Sequence, residues 1–336
     1  MRLKKGKKLD KGKALTEDLK IGLKEHELMR DHTTMRVGGV ADFYFEAKSI
    51  DDLLRAVKAA TKINLPYFVL GGGSNVVFSD YGFPGLVIKN NSTNISFMNE
   101  KSQVIVDSGV PLSKLILEST SNDLSGLEFL YGVPGTVGGA VYGDAGAWRQ
   151  SIGDFVRSAT ILLPGEGEAE PQIIQVESNW FEFGYRSSKL KKMTGKKKPL
   201  ILSLRIQLAQ NRQEEIMRRL NSFKTKRQAS QPIGLSAGCV FKNPIPEELK
   251  GVLGRGSRNM PELPRERTAG FMLDHAGAKK LKIGDVRVSN VHANFIVNSG
   301  NAKAQEVRQL AEEMRVVVQK KYNVTLDEEI EYVGQW

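Results

Sequence analysis

Apolar and polar positions along the chain change period repeatedly, and each change marks an element. Residues 41–47, apolar and aromatic behind the tight approach of Gly38-Gly39, read as a strand. Ser49 then caps a helix running through Leu53 and Leu54 to Thr61, with Asp52 at its third position as in a capping box. Pro66 ends that helix and opens a short apolar run, Tyr67–Leu70, read as a buried strand. Together these predict a small βαβ unit. Residues 86–88 and 103–106 read as further short strands. Pro111 opens a helix in which Leu112, Leu115, Ile116 and Ser119 recur at helical spacing. A hairpin is expected from 156–163 and 172–177 across Pro164-Gly165-Glu166-Gly167. A strand at 201–206 and a charged helix at 212–226 follow.

At 228–232 the composition shifts, and a domain boundary is placed there. Beyond it the pattern predicts a helix at 269–278 ending near Gly277, and a strand at 289–297. Asn301 is expected to cap a last long helix, whose Val307, Leu310, Met314 and Val317 form an apolar core stripe. Residues 325–333 close the chain as a strand. Its alternation puts Leu326, Ile330 and Tyr332 on one face, and Asp327, Glu329 and Glu331 on the other. Residues 1–20 read as a flexible basic tail, disordered or loosely helical, and 245–267, rich in Pro, Gly, Arg and Glu, as an exposed insertion. The expected units are therefore 1–20, 21–88, 89–225 and 226–336, the last strand being free to pack back on the earlier part.

Composition adds bounds. The chain has 336 residues, 40% of them hydrophobic, enough for two or three compact domains. Lys plus Arg is 49 against 38 for Asp plus Glu, a net +11 that suits an anionic partner without choosing one. Much of the excess is local, in residues 2–13 and in a cluster of Lys189, Lys191, Lys192, Lys196, Lys197 and Lys198 that reads as a solvated loop. No aromatics interleave these lysines, so a base-stacking surface for nucleic acid is unsupported. Cys239 is the only cysteine, so no disulfide can form within the chain. No signal peptide or membrane-length apolar run is read, and a cytoplasmic protein without membrane partners is expected.

Residues 71–77, Gly-Gly-Gly-Ser-Asn-Val-Val, carry the first candidate chemistry. Successive glycines let backbone amides approach a ligand and cradle an anion. No Lys-Ser/Thr pair follows, which excludes a P-loop, and Val76 breaks the dinucleotide pattern Gly-x-Gly-x-x-Gly. A pyrophosphate cradle and a plain glycine-rich turn both remain open. Residues 132–147 are a second small-residue stretch, long enough to favour a flat ligand or a second backbone lying against it over a structureless loop.

Four stretches taken together resemble one family. They are residues 71–75, 132–140 (Gly-Val-Pro-Gly-Thr-Val-Gly-Gly-Ala), 185–188 (Tyr-Arg-Ser-Ser) and 236–244 (Ser-Ala-Gly-Cys-Val-Phe-Lys-Asn-Pro). In order and spacing, from about Thr33 to Gly334, the chain is similar to the UDP-N-acetylenolpyruvoylglucosamine reductases. The resemblance implies an α+β protein. Its first two parts, 21–88 and 89–225, would form an FAD-binding module of the vanillyl-alcohol-oxidase type, and 226–336 a substrate-binding domain. It implies FAD as cofactor and NADPH as hydride donor. The substrate would be the enolpyruvyl ether of UDP-N-acetylglucosamine, reduced by one chain acting as a monomer. Covalent flavin attachment in relatives uses a His near the glycine turn; none stands there, so FAD is expected to be non-covalent.

Carried over residue by residue, the resemblance implies catalytic roles for Cys239 as proton donor, Arg186 as the grip on the substrate carboxylate, and Glu329 as an acid. It implies cofactor contacts at Arg36, Gly38, Gly39, Gly71, Gly72, Gly73, Ser74, Asn75, Gly135, Thr136, Gly138, Gly139, Ala140, Asp144, Ala145 and Gly146. Substrate contacts are implied at Arg227, Lys242, Asn243 and His292, the first two towards the diphosphate. No metal is expected.

The pattern breaks at Asp144, where the family usually has Asn, and at Glu331, where Arg is usual. Asp274-His275 also departs from a usual Glu-rich pair. An FAD oxidase acting on another substrate, and a non-catalytic nucleotide-binding protein, stand as alternatives.

Overall fold

A computed structural model describes residues 5–19, 22–164, 171–193, 198–245 and 263–336. The first sheet runs Lys24–Leu28, Val40–Ala47, Phe83–Asn90, Tyr67–Leu70, with the first pair antiparallel and the others parallel. The strand Phe83–Asn90 thus inserts between the two strands of the expected βαβ unit. The crossover helix Ile50–Lys62 is capped as expected, the Ser49 hydroxyl accepting from the Asp52 amide at 3.1 Å. Asp52 closes the turn one residue earlier than a capping box would, on the amide of Lys48 at 3.1 Å.

Residues 5–19, expected as part of a basic tail either disordered or loosely helical, form a helix, Lys5–Leu19. Leu15 and Leu19 are fully buried in the core that also holds Phe43, Leu53, Leu162 and Leu202. The lysines dominate the composition there, but two leucines one turn apart decide the structure.

The second unit is an antiparallel sheet of five strands, ordered Gln172–Glu177, Val156–Leu163, Leu200–Gln207, Gln103–Asp107, Ile95–Met98. The hairpin of 156–163 with 172–177 is as read. The helices Leu112–Ser121 and Gln213–Ser230 cover it, the latter burying only Ile216 and Leu220.

The third unit is smaller: strands Lys282–Ile283, Val286–Val288 and Ile296–Asn298 with helices Ala269–His275 and Ala304–Tyr322. Three expectations change here. The strand expected at 289–297 is broken, because the Ser289 hydroxyl accepts from the amides of Val291 and His292 and turns the chain. Asn301 does not cap the last helix. Its first amides, Ala304 and Gln305, instead donate to the carboxylate of Asp80, at 2.8 and 3.0 Å. The apolar stripe ends on buried Val318, with Val317 only partly covered.

The closing strand is also shorter than read, Glu331–Val333. It pairs in parallel with Val76–Phe78, immediately after the glycine turn. The C-terminus therefore returns to the first unit and carries Glu329 with it. Most of the 245–267 insertion, residues 246–262, lies outside the described residues.

Candidate active site

The two glycine stretches pack on each other. A Cβ on Gly71 would meet Thr136 Oγ1 at 2.7 Å, and one on Gly72 would meet Gly135 Cα at 2.5 Å. Gly73 has φ +68° and lies against the His32 carbonyl. The Ser74 hydroxyl donates to the Pro134 carbonyl at 3.0 Å. Among the described residues the amides of Gly72, Gly73 and Ser74 donate to no protein group. Beside them lies a cleft of about 460 Å³, lined by Thr34, Arg36, Gly72 and Lys89 among others. Lys89 Nζ donates to the Gly71 carbonyl at 2.5 Å, and burial lowers its pKa. Free amides and two cations at one cleft fit a pyrophosphate.

Gly38 and Gly39 answer to packing. A Cβ on Gly38, at φ +120°, would stand 2.6 Å from Phe78 Cβ, and one on Gly39 would stand 2.1 Å from the Asp80 carbonyl oxygen. Both glycines are accounted for without a ligand. Arg36 lines the cleft and is held by Asp31 at 3.3 Å.

In the second stretch, Thr136 caps the short helix Val137–Tyr142 by accepting from the Gly139 amide. Gly138 is pressed against Ser108, while Gly139 is exposed and Ala140 is buried. Asp144 follows at φ +45°, 2% exposed. Its Oδ1 accepts from the Gly153 amide at 3.1 Å, and its Oδ2 has no partner. Burial pushes the carboxyl up to about 6, against the opposing pull of the nearby Ser151 hydroxyl, of that amide and of Arg186. Ala145 and Gly146 continue from Asp144, and the Gly146 carbonyl accepts from Arg186 Nη2 at 2.5 Å.

The implied catalytic residues converge. Arg186, at φ +52°, brings Nε to 3.2 Å from Glu329 Oε1, an ion-pair contact that is not aligned as a hydrogen bond, so Nε–H is buried without a partner. Cys239 feels both groups. Burial and the Glu329 carboxylate push its thiol up to about 12, while Arg186 and Arg227 oppose. The Glu329 amide donates to the Val240 carbonyl at 2.7 Å, which ties the glutamate to the cysteine's own segment. The crowding of Glu329 by Asp327 and Glu331 expected from strand alternation does not occur. Glu329 faces a guanidinium, and Glu331 turns to Lys191 at 3.8 Å and to the Tyr142 hydroxyl at 3.4 Å.

The expected substrate residues divide. Lys242 and Asn243 line a second cleft of about 590 Å³ with Tyr185, Met272 and Asp327. Asn243 also builds it: its Oδ1 accepts from the Ala269 amide at 3.0 Å, and its own amide donates to the Tyr185 hydroxyl at 3.3 Å. Arg227 is committed to protein, donating to the carbonyls of Tyr131 and Phe129 at 3.1 and 3.3 Å and lying 5.1 Å over the Trp148 ring. His292 stands in the turn after Ser289. Its Nδ1 accepts from the Asn294 amide at 3.2 Å, and its ring fills the space over Gly270. Its bonds are those of a packed histidine, and none reaches Cys239, Arg186 or Glu329.

Sequence reasoning passed over two groups. Tyr185, within the 185–188 motif, had no role assigned. Lys191 and Lys198 were read as solvated, yet Lys191 Nζ donates to the Glu329 carbonyl at 3.3 Å and Lys198 Nζ to the Tyr142 hydroxyl at 3.2 Å. Only the fold brings their partners near.

Comparison with known proteins shows the family. Residues 41–170 match the family model of the FAD binding domain, and residues 230–333 that of the UDP-N-acetylenolpyruvoylglucosamine reductase C-terminal domain. Fold and site define an FAD-dependent oxidoreductase. The UDP-N-acetylenolpyruvoylglucosamine reductase of Anoxybacillus flavithermus is 34% identical over 314 residues, covering 93% of this chain and 95% of its own. That of Carboxydothermus hydrogenoformans is 34% identical over 332 residues, covering 97% and 100%. The crystal structure of the Thermus caldophilus reductase superposes with TM-score 0.71 at 31% identity, covering 91% of this chain and 97% of that one. The chain belongs to the UDP-N-acetylenolpyruvoylglucosamine reductase family.

Proposed function

We infer that this chain uses NADPH to reduce UDP-N-acetylglucosamine enolpyruvate to UDP-N-acetylmuramate, a step of peptidoglycan precursor synthesis, with non-covalent FAD as carrier. Bound FAD supplies hydride transfer, from NADPH to the vinyl carbon remote from the substrate carboxylate. The residues near the cleft do the rest. The observation that carries the reading is the Arg186–Glu329 ion pair at 3.2 Å, tied to the segment of Cys239 by the bond from the Glu329 amide to the Val240 carbonyl.

Hydride addition leaves negative charge on the adjacent carbon and its carboxylate. The Arg186 guanidinium, oriented by Glu329 and the Gly146 carbonyl, holds that carboxylate and the charge spreading into it. A thiol held up to about 12 is protonated at neutral pH and can give its proton to the carbon. Arg186 and Arg227 then stabilise the thiolate left behind. Glu329 fixes the guanidinium and supplies a second acid–base group. Lys242 and Asn243, at the 590 Å³ cleft, suit the diphosphate and sugar. The free amides of 72–74, with Lys89 and Arg36, suit the cofactor pyrophosphate, and Gly135, Thr136 and Gly139 its remainder. The reaction is assigned to a single chain in the cytoplasm, without nucleic-acid or membrane partners. Among the described residues no helix is long and apolar enough to cross a membrane.

The test is anaerobic. NADPH should bleach the flavin of the purified protein, and UDP-N-acetylglucosamine enolpyruvate should restore its colour. Recolouring by dioxygen but not by this substrate would favour an oxidase instead.

A further inference from the structure

The lysine-rich stretch after Arg186 holds a cation that the reaction scheme leaves unused. Lys191 lies on the short helix Lys189–Lys192, its side chain only 14% exposed. Its Nζ donates to the Glu329 carbonyl at 3.3 Å and lies 3.8 Å from Glu331 Oε1. Burial lowers its pKa, so this ammonium is kept out of water at a cost. The same carbonyl accepts from Asn75 Nδ2 at 3.1 Å, and the Glu331 amide donates to the Asn75 carbonyl at 2.9 Å. Both lone pairs of the Glu329 carbonyl are therefore used, one from the glycine turn and one from the segment that also carries Arg186. A peptide oxygen held from two sides fixes its plane, and with it the direction in which the Glu329 side chain leaves the backbone. The ion-pair partner is braced in turn: Glu331 Oε2 accepts from the Tyr142 hydroxyl at 3.4 Å, and Lys198 donates to that hydroxyl at 3.2 Å.

We propose that Lys191 is a positioning residue for the oxidative half-reaction, in which the enolpyruvyl substrate reoxidises the reduced flavin. Acting with Asn75 on the Glu329 carbonyl, it aims the Glu329 carboxylate at Arg186 and Cys239. The proposal rests on the acid–base reading of Glu329. It also gives Glu331, the departure from the family pattern, a part in the structure: its carboxylate holds the ammonium that holds the catalytic strand.

The experiment measures the two half-reactions separately in the FAD-loaded enzyme, by anaerobic stopped flow. Lys191→Met should slow reoxidation by UDP-N-acetylglucosamine enolpyruvate by roughly 10- to 100-fold, the range expected for slight misplacement of a catalytic group. Flavin reduction by NADPH, flavin content and thermal midpoint should stay close to the parent. Lys191→Arg, which keeps the charge and a donor, should recover most of the loss. In the double variant Lys191→Met/Glu329→Gln, reoxidation should be no slower than in Glu329→Gln alone, because Lys191 acts through Glu329. If Lys191→Met does not retain flavin, Lys191→Gln takes its place in each comparison. Reoxidation at the parent rate in Lys191→Met, equal slowing of both half-reactions, or full additivity in the double variant would each overturn the proposal. Glu329→Gln is the control for the reading beneath it. Unchanged reoxidation in that variant removes Glu329 itself from the mechanism, whereas slow Glu329→Gln beside normal Lys191→Met removes only the positioning role.

Discussion

Gly72 lies so close to Gly135 that a Cβ on the first would stand 2.5 Å from the Cα of the second. The contact is backbone on backbone, with no flexible side chain to give way. Gly72→Ala must push apart the two stretches that form the cofactor cradle. We expect a loss of about 1–3 kcal/mol in stability, as for overpacking generally. Flavin retention through gel filtration should fall with it. Thermal unfolding and the flavin-to-protein absorbance ratio check this, and an Ala variant that keeps both would show that the stretches can separate freely.

Asp144 should make the protein more pH-sensitive than an asparagine would. Burial raises its carboxyl from 3.8 unfolded to about 6 folded. The folded state therefore binds this proton more tightly, and stability from it is fully present below 3.8 and lost as pH rises through about 6. Asp144→Asn lacks that loss. It should be more stable than the parent by about 3 kcal/mol at neutral pH, from the two-unit shift at about 1.4 kcal/mol each, and lose the advantage below pH of about 4. Urea denaturation across that range is the measurement. A difference that does not change with pH would show that folding does not raise this carboxyl's pKa.

Cys239 permits a test without catalysis, since it is the only thiol. With its proton held to about 12, little thiolate exists at mildly alkaline pH. Iodoacetamide should alkylate the folded protein at least about 100-fold more slowly than the urea-unfolded chain, because the thiolate is the nucleophile. In the anaerobic assay Cys239→Ala should slow reoxidation by about 10²–10⁴-fold while NADPH still bleaches the flavin, and Cys239→Ser should restore much of the rate. Undiminished reoxidation in the alanine variant would remove the thiol from the mechanism.

Leu15→Ala tests the N-terminal helix. A fully buried leucine in the core beside Phe43 and Leu53 should cost about 2–5 kcal/mol on truncation. A flexible tail would lose nothing. Calorimetry distinguishes the two, with exposed Lys13→Ala as a surface control.

Some elements were legible because their cause is local. The helix capped by Ser49, the strand Tyr67–Leu70 and the 156–177 hairpin follow from period and turn residues within a dozen positions. The start of the helix Ala304–Tyr322 was misread because its cap is Asp80, more than two hundred residues away. The strand expected at 289–297 failed on one hydroxyl, that of Ser289, whose competing bonds a period count cannot weigh.

The sequence by itself determined the residue types of the site: glycines where backbone meets backbone, a lone cysteine, an arginine and a glutamate in motifs of specific order. Those demands are written into short stretches, because a missing Cβ or a thiol cannot be replaced by neighbours. Only the tertiary structure decided which groups act together. Pairing of Glu331–Val333 with Val76–Phe78 brings Glu329 back to the glycine turn, sets it against Arg186, and makes a buried partner of Lys191, one lysine among many in the sequence. It also turned His292 and Arg227 towards protein partners. Distance through space, set by packing of the three units, decides the electrostatics, and no local pattern encodes it.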